Sequence, residues 1–415
     1  MASVNDSSTT DDPATLIARL QHLAPRLSNE EDHGARRECL RISKALTAEL
    51  EHPENVALDM AHSPMIALCA RIAVDLGLFE HIDQHGPVTS EALAKVSGAE
   101  ESLIVRILRL LSAVHFVKEA ALRTWEATRI TKAMARREIG AGHRILRVST
   151  LYSHLVVPAM QSAPTFFLQN GYSSPVDPKK GLVQFAFSTE KSTFEYIASS
   201  PSLLKDFNLF MGNTMGARRF WVDWYPVQSR ILDGAAPDKA LIVDIGAGRG
   251  HDLVAFMGRF LDAVGPGQLV LEDLPPVIED GGLELDMNGP GANGAIRKVA
   301  YDFFMEQPVK GARVYFLHHI LHDWSDEYCL KILQNVVSAM TPRYSKLLIH
   351  EMIVLEQGAP QFQAQLDMAM MAFSGGMERT RRQWRALLEK AGLEIVEFWD
   401  PVDEGGDGIV EAVRV

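Results

Sequence analysis

The chain has 415 residues, with 47% hydrophobic and 23% charged side chains and a formal net charge of −12. That length is enough for two or three domains with a sizeable core, and the acidic balance argues against a surface built to neutralise nucleic-acid phosphates. Three widely spaced cysteines, Cys39, Cys69 and Cys329, form neither a metal pattern nor a disulfide framework, which suits a reducing compartment. The N-terminus MASVNDSSTTDDP lacks the basic and apolar regions of a signal peptide. No uninterrupted apolar run approaches the ~18 residues of a membrane span, so a cytoplasmic protein without a membrane partner or bound metal is expected. Residues 1–13 read as a disordered tail. Helical patterns follow at 15–27 and 34–52, and residues 56–80 are apolar and helix-prone and read as buried. Segment 87–118 predicts a short helix, a turn at Gly98 and a second helix carrying Leu103, Ile107, Leu110 and Leu111 at helical spacing. A β-wing from Phe116 to about Thr131 completes the pattern of a winged helix-turn-helix, which places an N-terminal domain at 14–140. Residues 141–235 read as a helical connector rich in aromatics and methionine.

Residues 236–415 alternate. Apolar runs at 240–245, 268–272, 295–301, 312–318 and 346–350 are interleaved with helical stretches at 251–263, 325–340 and 380–391. This predicts a parallel sheet covered by helices. Two further strands, 393–399 and 408–415, are joined by the DEGGDG turn and predict an antiparallel edge hairpin. In VDIGAGRGHD the first strand ends at Asp244, and Gly246, Gly248 and Gly250 precede a helix start at His251. Glycines let a ligand approach the backbone, and free N–H groups at a helix start favour polar or anionic groups. The spacing is not G-x-G-x-x-G, because His251 stands where the third glycine of a dinucleotide fingerprint belongs. It resembles motif I of S-adenosylmethionine-dependent methyltransferases.

Ligands of such sheets bind at the C-terminal ends of the strands. Those ends carry Asp244 and Gly246, then Glu272 and Asp273, then Asp302 and Phe303. A carboxylate at the second end can accept from both hydroxyls of a ribose, and Asp302 with Phe303 can offer an acceptor and an apolar face to an adenine. Each acid taken singly also suits a loop or a helix cap. The fourth strand ends in FLHHILHDWSDE. A histidine near neutral pKa, His322, can remove a proton from an acidic hydroxyl. Asp323 suits either the N-cap of the next helix or a partner for the imidazole. Glu351 in LLIHEMIV and Glu378 in GGMERT are acids that could hold the His322 ring and stabilise its imidazolium. Strand alternation sends His318 and His319 to opposite faces, so at least one reads as a core histidine.

VDIGAGRG, EDLPPVI, YDFF, LHDWSDE, HEMIV and GGMERT occur in the order and approximate spacing of the plant-type O-methyltransferases. These include the caffeic-acid and flavonoid enzymes and their fungal relatives that methylate polyketides. The resemblance covers roughly residues 55–415. It implies a Rossmann-like seven-stranded catalytic domain at 236–415, a homodimer formed through the N-terminal domain, S-adenosylmethionine as methyl donor with S-adenosylhomocysteine as product, and a small hydroxylated acceptor. It implies His322 as base flanked by Glu351 and Glu378. Gly246, Asp273, Leu274, Asp302 and Phe303 match cofactor positions, joined by Asp244 and Gly248 of the glycine turn, while His318 replaces a lysine found near the cofactor in plant members. STLYSHLVVPAM and DFNLFMGNT match acceptor-pocket segments. His154, Phe207, Met211 and Thr214 thereby become pocket residues, with Met368 and Phe373. Two other readings stay open. Some fungal relatives bind S-adenosylmethionine yet catalyse dehydration or pericyclic ring formation. A winged helix also suits a DNA-binding regulator, although Glu100 and Glu101 at the second helix start would repel phosphates.

Overall fold

The computed structural model describes residues 12–29, 32–136, 139, 155–201, 203–204, 207, 211, 219–279, 294, 296–402 and 406–415. The chain divides into two compact units, 1–67 and 68–415. In the first, Asp12 caps the Pro13–Leu23 helix by accepting from the N–H groups of Ala14 and Thr15. The expected tail therefore gives way to helix at its last two residues, and residues 1–11 lie outside those described. The His33–Leu50 helix packs Ala35, Cys39 and Ile42 against Leu16 and Leu23. Helices Pro53–His62 and Pro64–Asp75 follow, and this 23-residue stretch is by length and composition long and apolar enough to cross a membrane. Glu54, Asp59 and Arg71 interrupt its apolar pattern, and Val56, Leu58, Met60 and Met65 are exposed rather than buried.

In the second unit, strand β1 (Val88–Thr89), the Ser90–Ser97 and Glu101–Ala113 helices, and strands β2 (Val117–Ala121) and β3 (Thr124–Ala127) follow the expected order. The strands form a three-stranded antiparallel sheet, β1-β3-β2. Ile104, Ile107, Leu108 and Leu111 turn one face of the second helix onto this core, around the fully buried Trp125. The remaining strands are β4 (Ile242–Ile245), β5 (Leu269–Asp273), β6 (Ile296–Ala300), β7 (Val314–His318), β8 (Lys346–Glu351), β9 (Ile353–Val354), β10 (Arg379–Thr380), β11 (Leu393–Trp399) and β12 (Gly408–Arg414). Seven of them form one sheet in the order β11-β12-β8-β7-β4-β5-β6. The five strands β8, β7, β4, β5 and β6 are parallel, and β12 runs antiparallel to both β8 and β11. The central strands are mostly apolar because helices cover both faces, and their polar residues gather toward the C-terminal ends. On one face the Asp326–Ala339 and Arg381–Lys390 helices bury Ile332, Leu333, Val336, Trp384, Leu387 and Leu388. On the other, the His251–Phe260 helix shares a core with Trp221, Tyr225 and Ile231.

Trp221, Tyr225 and Ile231, from the segment read as a connector, pack on that second face. The end of the connector belongs to the sheet, and residues 68–415 form one unit. A buried carboxylate fastens it. Glu411 on β12 accepts from Tyr225 Oη at 3.1 Å, Arg230 Nη2 at 2.7 Å, Lys346 Nζ at 2.7 Å and Trp399 Nε1 at 3.0 Å. Burial alone would raise the Glu411 carboxyl, but Arg230 and Lys346 hold it below its ordinary 4.5. A depressed folded value means that the stabilisation is complete above the ordinary value and is lost as pH falls through the folded one. Glu411→Gln should therefore flatten the acid limb of a melting-temperature profile, and Glu411→Ala should cost about 3–5 kcal/mol at neutral pH in urea denaturation. An acid limb in Glu411→Gln as steep as that of the wild type would remove this cluster as a determinant of stability.

Candidate active site

The glycine turn after β4 is built as its sequence requires. Gly246, Gly248 and Gly250 have φ of 73°, 53° and 76°, the left-handed region in which a side chain is strained. A Cβ on Gly246 would run into the Ile320 side chain and stand 4.0 Å from the Phe303 ring. At Gly248 no described atom lies within 4 Å of that position, so its backbone faces open space. Asp273, at the end of β5, accepts from Gly248 N through Oδ2 and from Leu274 N through Oδ1, both at 2.7 Å. Its neighbour Glu272 is fully buried, bonded to Gln307 Nε2 at 2.8 Å and pushed by burial up to about 7, so Asp273 is the acid presented at the strand end. Asp244 is buried with one carboxylate oxygen unpartnered among the described residues, and burial raises its pKa. Phe303 therefore stands beside the turn, whereas Asp302 is exposed and accepts from Phe304 N at 2.9 Å. Leu274 is 44% exposed.

This arrangement fits S-adenosylmethionine. Open backbone at Gly248, a strand-end carboxylate at Asp273 and an aromatic edge at Phe303 supply the three kinds of contact that it needs. Gly248→Ala should cost about 1–2 kcal/mol for the left-handed backbone, while its methyl group enters the open space and weakens S-adenosylmethionine binding at least about tenfold in calorimetry. Unchanged affinity would place the cofactor elsewhere.

The second constellation lies where β7 and β8 end. Beyond β8, β9 pairs with β10 in parallel register, Ile353 opposite Arg379. Glu351 and Glu378 just precede that pair, so the register brings the two acids together. The 3₁₀ turn Leu321–Asp323 carries His322 between them. His322 Nδ1 lies 2.8 Å from Glu378 Oε1. A carboxylate only accepts, so Nδ1 holds the hydrogen, and in the neutral ring Nε2 presents its lone pair. Burial alone would lower the His322 pKa, but Glu378 and then Asp323 raise it to about 10. Glu351 does not hold the ring. Its Oε1 accepts the backbone N–H groups of Ile320, Leu321 and His322 at 3.1, 2.6 and 3.2 Å and so fixes the turn. Asp323 Oδ1 stands 3.8 Å from His322 Nε2, and burial pushes its carboxyl up to about 7. It is not the N-cap of the next helix; Ser325 occupies that position, because the 3₁₀ turn and Trp324 intervene.

Three supports of this turn carry no motif of their own. Arg379 is fully buried and donates to the carbonyls of Leu321 and Trp324, on either side of His322, at 3.0 and 2.8 Å. Asp367 accepts from Glu378 N at 2.9 Å. Met377 N donates to the His322 carbonyl at 2.9 Å. Met377 and Arg379 had a legible signal, their place beside Glu378 in GGMERT, whereas Asp367 had none. An aromatic wall adjoins the turn. Trp324 packs on Phe303 and Phe194 with centroids 6.0 and 5.9 Å away, and Phe373 stacks on Phe207 at 6.2 Å and meets Phe194 edge-on at 5.3 Å. Phe207 and Phe373 are thus brought together. Met211 is half-buried and Met368 is 43% exposed, whereas His154 and Thr214 lie outside the described residues. Phe194 was missed, since nothing near it in sequence carries chemistry. His318 is committed to Asp252, with Nδ1 and Oδ2 2.7 Å apart.

The chain matches the O-methyltransferase domain family over residues 182–394 and the O-methyltransferase dimerisation domain over residues 58–137. It is 60% identical to O-methyltransferase penC of Penicillium thymicola, over 98% of each chain. It is 59% identical to O-methyltransferase asqD of Emericella nidulans, over 85% of this chain and 87% of that one. Among solved structures it is similar to LepI in complex with S-adenosylmethionine, with TM-score 0.83, 29% identity and coverage of 97% and 100%. A structure described as a pericyclic reaction enzyme matches with TM-score 0.83 and 29% identity, covering 96% of this chain and 99% of that one.

Proposed function

From its membership of the O-methyltransferase family, in the fungal secondary-metabolite branch, we propose that this S-adenosylmethionine-dependent O-methyltransferase methylates a phenolic hydroxyl of an aromatic or polyketide-type metabolite, with His322 as general base. The observation that carries this reading is the buried His322–Glu378 pair beside an aromatic wall. S-adenosylmethionine supplies, when bound, a methyl group activated by a sulfonium. His322 Nε2 takes the acceptor's hydroxyl proton. Burial lowers and Glu378 raises the affinity of His322 for a proton, and transfer starts from the neutral ring, whose Nε2 is free to accept. Glu378 holds the ring and offsets the charge of the imidazolium. Glu351 and Arg379 are positioning residues that fix the turn. Phe194, Phe207, Phe373 and Trp324 offer flat apolar surface to an aromatic acceptor.

The N-terminal module fits a homodimer. Leu58, Met60 and Met65 are 60, 66 and 50% exposed within the segment matched as the dimerisation domain. A second copy would cover such a patch. The test of function is transfer of isotope-labelled methyl from S-adenosylmethionine into a panel of phenolic polyketides, read by mass spectrometry. Labelled ether product supports the reading. The similarity to a pericyclic reaction enzyme gives the second reading its content: substrate rearranged or dehydrated without consumption of S-adenosylmethionine would replace methyl transfer by that chemistry.

A further inference from the structure

Arg249 stands inside the glycine turn, between Gly248 and Gly250, and has no part in the chemistry above. We propose that its guanidinium grips the carboxylate of S-adenosylmethionine and so selects the zwitterionic amino-acid end of the cofactor. The proposal rests on the identity of the cofactor and not on that of the acceptor.

The order of the strands says which part of the cofactor meets the turn. The sheet runs β7-β4-β5-β6 at this point. Phe303, beyond β6, offers an apolar face to an adenine, and Asp273, at the end of β5, offers a carboxylate to a ribose. The methionine end is then left to the next strand, β4, whose end is the glycine turn, on the way to β7 and the His322 turn. That end carries an ammonium and a carboxylate. The groups below it are acids: Asp244, Asp252 and Glu272 are all buried there. Acids suit the ammonium but repel the carboxylate unless a cation stands between. Arg249 is the guanidinium that the turn carries. His318, at the end of β7, is already committed to Asp252, with Nδ1 and Oδ2 2.7 Å apart.

The Arg249 side chain is placed for such a ligand. It is half-buried, and its Nε is buried and has no hydrogen-bond partner among the described residues. An unmet buried donor is costly and asks for an acceptor. The acids around the turn do not supply one. Asp273 accepts from Gly248 N and Leu274 N, Glu272 accepts from Gln307 Nε2, and Asp252 faces His318. Asp244 keeps an oxygen unpartnered in the same turn, so the guanidinium does not fold back onto it. Gly248, the residue before, has no described atom within 4 Å of its Cβ position, so a ligand can come up to the backbone at this point. Nε and one Nη of a guanidinium match the two oxygens of a carboxylate, a fork that a lysine cannot reproduce.

The test is calorimetric binding without an acceptor, so an error about the acceptor leaves it intact. Two ligands are compared, S-adenosylmethionine and its decarboxylated form, which lacks only the carboxylate. Arg249→Gln should weaken binding of S-adenosylmethionine by about 10- to 100-fold, the range of a charge-assisted hydrogen bond, and bind the decarboxylated form as well as the wild type does or better. Arg249→Lys keeps the charge without the fork and should fall between. The cofactor-free Arg249→Gln protein should melt at an unchanged or higher temperature, because an unmet donor has been removed. Arg259→Gln, on the following helix and paired with Asp223 at the surface, should leave both affinities as they are. Equal losses for the two ligands in Arg249→Gln would make the residue a support of the turn, and undiminished affinity for S-adenosylmethionine would place the carboxylate elsewhere; either result overturns the proposal.

Discussion

His322→Ala should lower methyl transfer by about 10²–10⁴-fold, the range of general-base help, with S-adenosylmethionine affinity little changed. The loss belongs in kcat, because the base acts on the acceptor's proton and not on the cofactor. Truncation also leaves Glu378 without its partner at 2.8 Å, so some stability is lost as well. His322→Gln separates the two effects. Its amide can donate to Glu378 but takes no proton, so it should fold like the wild type and transfer as poorly as the alanine variant. Single-turnover rates with labelled cofactor, beside calorimetric binding, make the measurement. Wild-type transfer by a well-folded His322→Gln would end the assignment.

Gly376→Ala should disable the enzyme without touching any reacting group. A Cβ there would lie 2.5 Å from the Asp323 carbonyl carbon and closer still to the His322 carbonyl oxygen. Those are backbone atoms, which cannot swing away as a side-chain end does. Met377 N also donates to the same His322 carbonyl at 2.9 Å, so the approach of the two segments is fixed by a hydrogen bond that the methyl group would break. The overpacking costs about 1–3 kcal/mol or more. A displacement of His322 by about 1 Å is worth about 10²-fold in rate. Gly258→Ala is the control. That helical glycine has no described atom within 4 Å of its Cβ position and no positive φ, so alanine there should be neutral or stabilise by up to about 1 kcal/mol. Equal activity in the two variants would refute the packing argument.

The elements that were legible are those whose signal is local. The central strands announce themselves as short apolar runs because both faces are covered. The turn at Gly246, Gly248 and Gly250 follows from a backbone that only glycine adopts without strain, and each of the three has the positive φ that the spacing required. His322, Glu351 and Glu378 were readable as a set because each sits at a strand end or in the loop beside one, where such folds place their chemistry.

The division of labour among them was not readable. His322 and Glu378 are 56 positions apart, and nothing local says which acid takes the ring and which takes the backbone; the β9–β10 register decides it. Strand alternation separated His318 from His319, and a single left-handed residue brings both to Asp407. Glu411 draws Tyr225 and Arg230 onto the sheet from far along the chain, a contact that no local pattern announces. The sequence by itself determined which strands, turn and chemical groups this protein has, since backbone propensity and burial pattern act within a few residues. Only the tertiary structure decided which donor meets which acceptor, since burial obliges every polar group to find a partner wherever folding brings one within reach.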